Sequence, residues 1–469
     1  MITPPITADI FEAFLKCPTE CYLRSVGELR TGNPCADWLR TQKESCRSEG
    51  IKRLAEGAKT GECVIGSSGT NNIKTAKWRV ATEYVVRAQN LESSLHAVER
   101  VPSEGRGQHA QFIPIRFTFA NKLYRDDKLL VAFDAPVLSE RLGHAVGRGK
   151  IIHGKDRVAS VKTSALANEV QKVIIGKIAT LLASSSPPDL ILNRHCAECE
   201  FRDRCRQKAI EQDDLSLLSN MTEKERRKLN SKGIFTVKQL SYTFRPRRRP
   251  KQLAGKREKY HHSLKALAIR DRKIHIVGSP QLKIEGTPVY LDVEGIPDRD
   301  FYYLIGLRLR TNRRVIQHSL WAANENDEKH IWKEFLGVLS GIEKPVLIHY
   351  GSFEATFLKR MVQKYGERVE DSRVAEAISS AVNLLSVMFA KVYFPTFSNG
   401  IKEIARYLEF EWENPAGSGL QSIIWRRQWE TSGETTLKRS LFIYNANDCE
   451  AIEVVANKLL SITATFTES

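Results

Sequence analysis

The alternation of apolar and polar positions divides the chain into elements before any chemistry is considered. In residues 8–24, Ile10, Phe11, Phe14 and Leu15 recur at helical spacing, and Pro18 interrupts the helix after Cys17. Residues 31–110 are polar, glycine-rich and uneven, with a loop expected at 66–72. Strand-like runs stand at 76–86, 112–119 and 129–133, the last ending at Asp134. A turn-rich stretch at 149–156 leads to a strand at 158–162 and an amphipathic helix near 169–182, closed by Pro187 and Pro188. Further on, Thr222 and Glu225 have the spacing of a capping box. Leu229 closes that helix before Gly233, and Thr236 opens a second short one.

From residue 288 the texture changes. Strands are expected at 288–295, 301–309 and 314–321, followed by a helix at 328–339, a buried strand at 346–349 and helices at 383–389 and 401–408. A strand meander that gives way to alternating strand and helix predicts an α/β fold, a mixed sheet with flanking helices. With 469 residues the chain has room for about three domains. The expected boundaries are 1–210, a helical hairpin at 211–245, a basic linker at 246–284 and the α/β domain at 285–469.

The chemistry concentrates on the strand PVYLDVEG at 288–295. Side chains alternate faces along a strand, so Asp292 and Glu294 share one face while Leu291 and Val293 turn to the other. Two carboxylates side by side repel, and a divalent cation with its preference for hard oxygen ligands relieves that. Such pairs are also common on solvated strand faces. Downstream, Glu354 opens a helix after Gly351 and Ser352, and Tyr444 and Asp448 fall four apart on one helical face.

Charge adds a partner. Lys and Arg number 72 against 55 Asp and Glu, a surplus of 17 that favours a polyanion. The segment RPRRRPK at 245–251 concentrates it in Arg245, Arg247, Arg248, Arg249 and Lys251, with prolines that favour an extended chain able to track phosphates. A solvated linker would look the same, and the run does not distinguish DNA from RNA. No apolar run is long enough to span a membrane. The N-terminal residues lack a secretory pattern, so cytoplasm is the expected compartment. Nine cysteines are then not a disulfide framework. Cys196, Cys199 and Cys205, spaced C-x2-C-x5-C, are instead soft ligands suited to iron–sulfur or zinc, and need a fourth. His195 beside them reads as a packed or exposed histidine.

Asp292 and Glu294, then Glu354, then Tyr444 and Asp448 together resemble the DEDD 3′–5′ exonucleases of the ribonuclease H-like fold, in the variant with a tyrosine in the third motif. The chain is more similar still to RecB-like nucleases ending in such an exonuclease. By that resemblance Asp292, Glu294, Glu354 and Asp448 hold two Mg²⁺ or Mn²⁺ ions and Tyr444 handles the attacking water. Glu354 departs from the usual Asp. The front half resembles the iron–sulfur RecB-like PD-(D/E)XK nucleases, which implies a [4Fe–4S] cluster on Cys17, Cys196, Cys199 and Cys205, with Cys21 in reserve for Cys17 and zinc as the alternative. In that family's active site Asp134 and Lys162 would take part. Ser160 stands where an acid is needed, and Ile175 stands where a tyrosine should follow Gln171, so this site reads as degenerate and the domain as a DNA-binding one. The segment 214–242 resembles a helix-hairpin-helix module. DNA is the implied substrate ahead of RNA, with a helicase or repair factor among the implied partners. The stretch FSNGIKEIARYLEFEW resembles a segment between the second and third exonuclease motifs. There Lys402 would either approach a phosphate or lie on a wet face, and the wet face is the reading taken, with Trp412, Trp425 and Trp429 as packing residues. The competing reading is a non-catalytic nucleic-acid-binding or scaffold protein of a repair or mobile-element complex.

Overall fold

A prolonged helix fills much of the stretch that looks featureless in sequence. Pro34–Glu56 starts where the Asn33 side chain accepts the Cys35 N–H, with Pro34 in its first turn. The computed structural model describes residues 5–66, 73, 76–103, 109–154, 156–245, 260–278, 280–311, 314–365, 372–415 and 417–467. They form two compact units, Met1–Gln207 and Lys208–Ser469.

In the first unit, Val80–Ala88, Leu91–Val101 and Gln111–Thr118 form an antiparallel meander. The helix Arg125–Leu142 then crosses over, and Gly149–His153 returns parallel to Gln111–Thr118. Arg157–Val161 closes that edge, and Cys63–Ile65 the other. The expected strand at 129–133 is therefore a correction: those residues lie inside the crossover helix. Asp127 caps it by accepting the Tyr124 N–H at 2.8 Å. The helix is buried on nearly every side, from Leu129 through Leu142, so its apolar run shows no helical stripe.

In the second unit, five strands lie in the order Arg314–Trp321, Phe301–Thr311, Thr287–Ile296, Pro345–His349 and Val382–Asn383. The first two pairings are antiparallel and the last two parallel, which puts the acidic strand at the centre. Leu291 and Val293 turn into one apolar core with Leu304, Phe335 and Phe357. The helix Thr435–Thr467 packs with Tyr444, Ala451 and Ile452 in a second core with Tyr290. The expected capping box forms at Thr222, and Thr236, expected to open the next helix, makes one as well, on the short helices Glu223–Asn230 and Val237–Ser241. Through Leu229, Val237 and Leu240 these join Leu215, and Ala266 of the helix His262–Asp271, in one apolar cluster, and so belong with the second unit. Among the described residues no helix is long and apolar enough to cross a membrane.

Candidate metal centre

Strand alternation and a helical repeat deliver three acids to one point. Ligand oxygens of Asp292, Glu294 and Asp448 all lie within 4.8 Å of one another. Among the described residues this is the set of three or more His, Cys, Asp or Glu groups that meets at single-ion spacing. Glu294 and Asp448 are 7% and 6% exposed; Asp292 is more open.

Each acid has its own donor. Asn445 Nδ2 reaches Asp292 Oδ2 at 2.7 Å and the Asp292 carbonyl at 3.1 Å. Ser422 Oγ donates to Glu294 Oε2 at 2.5 Å, and Trp412 Nε1 to Asp448 Oδ1 at 2.6 Å. Two glycines make room for this packing. Gly306, opposite Asp292 in the neighbouring strand, leaves a slot in which a Cβ would sit 2.1 Å from Asn445 Oδ1. At Gly417 a Cβ would lie 2.6 Å from Tyr444 Cδ2.

Burial first, and repulsion among the acids second, raise their proton affinity. Asp292 is pushed well above the usual carboxylate range, with the charges of Asp448, Glu294 and Glu354 adding to burial. Glu294 is pushed up to about 8, against the opposing bond from Ser422. Asp448 rises to about 6, again through burial, while Trp412 and Lys402 pull it down. Crowded, half-desolvated carboxyls of this kind either hold protons or hold a cation.

The fourth expected acid stands apart. Glu354, in the first turn of Phe353–Tyr365, is buried, and its Oε2 has no hydrogen-bond partner. His349 Nδ1 is 3.6 Å away, too far to donate well. Glu354 lies outside the trio, although its charge acts on Asp292, Glu294 and Asp448. Tyr444 is buried and hydrogen-bonded to Asp448, and burial with the surrounding acids pushes its phenol far above the ordinary range. Such a phenol keeps its proton and serves as a hydrogen-bond donor.

Lys402 is not on a wet face. Its ammonium donates to the Gly417 carbonyl and lies 4.7 Å from the Tyr444 ring centre and 5.3 Å from that of Trp412. Trp425 packs on Tyr444 with ring centres 6.3 Å apart, and Trp429 lies against the buried Arg426. Asn445, Ser422 and Trp412 carry roles that sequence reasoning missed. Only Asn445, beside Tyr444, was near a recognisable motif.

Residues 289–460 match the RNase H superfamily. The second unit thus carries an RNase H-like, nuclease-like domain. A search of curated proteins found no match to the chain.

In the first unit, Cys17, Cys196, Cys199 and Cys205 line one pocket, together with Glu20, His195 and Arg202. Cys21 is wholly buried in the apolar core instead. Backbone N–H groups of Asn193 and Phe201 donate to the sulfurs of Cys196 and Cys199. Asp134 and Lys162 do not build a site. Asp134 is fully buried, and both its oxygens accept from Arg116 at 2.7 Å, one also from Ser93. Lys162 is exposed just past its strand. Arg245 is exposed, while Arg247, Arg248, Arg249 and Lys251 lie outside the described residues.

Proposed function

We propose that the second unit is a metal-dependent phosphodiesterase, a 3′–5′ exonuclease acting on DNA, and that the first unit binds nucleic acid around an iron–sulfur cluster. The observation that carries the hydrolase reading is the convergence of Asp292, Glu294 and Asp448 within 4.8 Å, all three raised in proton affinity. The donor set is all carboxylate, which suits Mg²⁺ or Mn²⁺. Two such ions, when bound, activate water and neutralise charge at a phosphodiester. Asn445 engages Asp292 Oδ2 and leaves Oδ1 for an ion; Ser422 and Trp412 aim Glu294 and Asp448 in the same way. Glu354 is buried with its Oε2 lacking a hydrogen-bond partner, which supports a further ligand role for it. Tyr444 positions the water beside Asp448. The test uses single- and double-stranded DNA and RNA labelled at the 5′ end, with Mg²⁺ or Mn²⁺. Stepwise shortening of DNA from the 3′ end is expected; internal cuts or cleavage of RNA alone would overturn the assignment.

The place of Glu354 outside the trio favours one other reading, a nucleic-acid-binding or scaffold protein that does not cut. Absence of any metal-dependent cleavage, with binding retained, would select it.

For the first unit, four thiols around one pocket with backbone N–H groups on two sulfurs support a metallic centre. Thiolates are soft ligands that suit an iron–sulfur cluster, with zinc as the alternative. A brown protein, with visible absorbance lost in Cys196→Ser, is expected. A colourless protein containing stoichiometric zinc would replace cluster by ion.

A further inference from the structure

Two cations beside the carboxylates are held in place without being neutralised. Lys402 and Arg406 lie one turn apart on the helix Ile401–Tyr407 and both face the Trp412 ring, at 5.3 Å and 5.9 Å. Lys402 has a carbonyl, that of Gly417, and two aromatic faces as its partners. Neither residue makes an ion pair within 4.0 Å among the described residues, although Lys402 feels the charges of Asp448, Glu294 and Asp292. By contrast Arg308, Arg310 and Arg116 in the same chain are each paired with a carboxylate. Lys402 is partly buried and Arg406 exposed, so the pair runs from the acid cluster outward.

A lysine this near several carboxylates ordinarily closes a salt bridge. Here the aromatic faces and the carbonyl hold it back, at a modest cation–π gain. The acids are thereby left to metal, and the cations are left to anions. Four carboxylates, two divalent ions and Lys402 sum formally to one positive charge, which favours an anion once the metals have bound.

We infer that Lys402 and Arg406 form a two-step phosphate track, Lys402 at the scissile phosphodiester and Arg406 at the adjoining one, so that the substrate strand lies along the helix Ile401–Tyr407. The inference rests on the hydrolase reading for its orientation. It names the substrate as a strand with at least two phosphodiesters, not a mononucleotide ester. Lys402 is then a catalytic residue, and Arg406 a binding residue of the same reaction.

Binding and cleavage separate the two claims. With Asp292→Glu as a metal-binding, poorly cleaving background in Mn²⁺, fluorescence anisotropy of a labelled octanucleotide is measured against salt. Adding Lys402→Met or Arg406→Met is expected to lower the slope of log affinity against log salt by about 0.7 each, one phosphate contact on a single strand. Arg406→Lys should restore the slope. In the cleaving protein, Arg406→Met should raise KM by a factor that grows from dinucleotide to octanucleotide. Lys402→Met should lower kcat by about 10²-fold while Mn²⁺ binds as tightly or tighter, because a like charge has been removed. A merely structural lysine would weaken metal and rate together. Unchanged salt slopes in both variants, or a length-independent effect of Arg406→Met, would overturn the track. The expected slope losses, with no cleavage by the unmutated chain, would sink the hydrolase reading while sparing the track.

Discussion

Asn445 grips Asp292 at both ends, its amide nitrogen 2.7 Å from the carboxylate and 3.1 Å from the carbonyl of the same residue. The two are 153 residues apart. The contact exists because Gly306 leaves space for the amide's other end, and Asn445 itself is fully buried. The grip fixes one rotamer of the acid placed to touch every neighbour. Asn445→Asp removes the donor and adds a like charge; Asn445→Ala removes the donor alone. Both should weaken Mn²⁺ binding by about 10- to 100-fold, the aspartate more than the alanine. Gly306→Ala should act like them by displacing Asn445. Titration calorimetry checks the order, and equal affinity in all four proteins would contradict it.

Trp412 acts on Asp448 in the same way through one charge-assisted bond at 2.6 Å. Trp412→Phe keeps most of the packing and removes the donor. The loss is about 1.5–3 kcal/mol, which lowers kcat about tenfold or more. Because the bond holds the Asp448 proton affinity down, its loss should move the acid limb of the pH–rate profile upward. A lower rate with an unmoved limb would mean that Trp412 only packs.

Protons and metal compete for the same oxygens. Glu294 goes from its ordinary 4.5 up to about 8 and Asp448 from 3.8 to about 6, burial being the first cause of each. Between those values the metal-free folded protein binds more protons than the unfolded chain. Its stability is therefore full below the unfolded values and falls as pH rises through about 4 to 8. A bound cation needs the deprotonated acids and reverses the trend. Amide exchange in Thr435–Thr467 should be faster at about pH 8.5 than at about pH 5.5 without metal, after correction for intrinsic rates. Mn²⁺ should slow it at the higher pH. Exchange that ignores both pH and Mn²⁺ would count against the buried acids being responsible.

Both carboxylate oxygens of Asp134 are engaged by Arg116. Asp134→Asn leaves Arg116 nearly buried beside a neutral partner. The expected cost is about 3–5 kcal/mol in the first unit, the range for breaking a buried pair. Metal-dependent cleavage by the folded fraction should be unaffected. Loss of cleavage in well-folded Asp134→Asn would relocate the active site to the first unit.

Legibility followed sequence distance. Asp292 with Glu294, and Tyr444 with Asp448, could be placed because two-residue and four-residue spacings fix a shared face locally. The Thr222 and Thr236 caps were readable for the same reason. The crossover helix misled because burial on all sides erases the stripe that separates helix from strand. Pro34–Glu56 was missed because its polar faces hide behind a start signal, Asn33-Pro34, that was legible in retrospect. Ser422, Trp412 and Asn445 gain their roles from partners 128, 36 and 153 positions away, and nothing local announces that. The outlying position of Glu354 was equally hidden, since an acid in a first helical turn looks the same whether or not it reaches its fellows.

Direct titration of Mn²⁺ into the 469-residue chain, followed by electron paramagnetic resonance, tests the central claim most plainly. The unmutated chain should take up Mn²⁺ in the second unit, and Asp292→Asn and Asp448→Asn should each lose at least one bound ion. Uptake identical in all three proteins would show that these carboxylates do not form a metal centre.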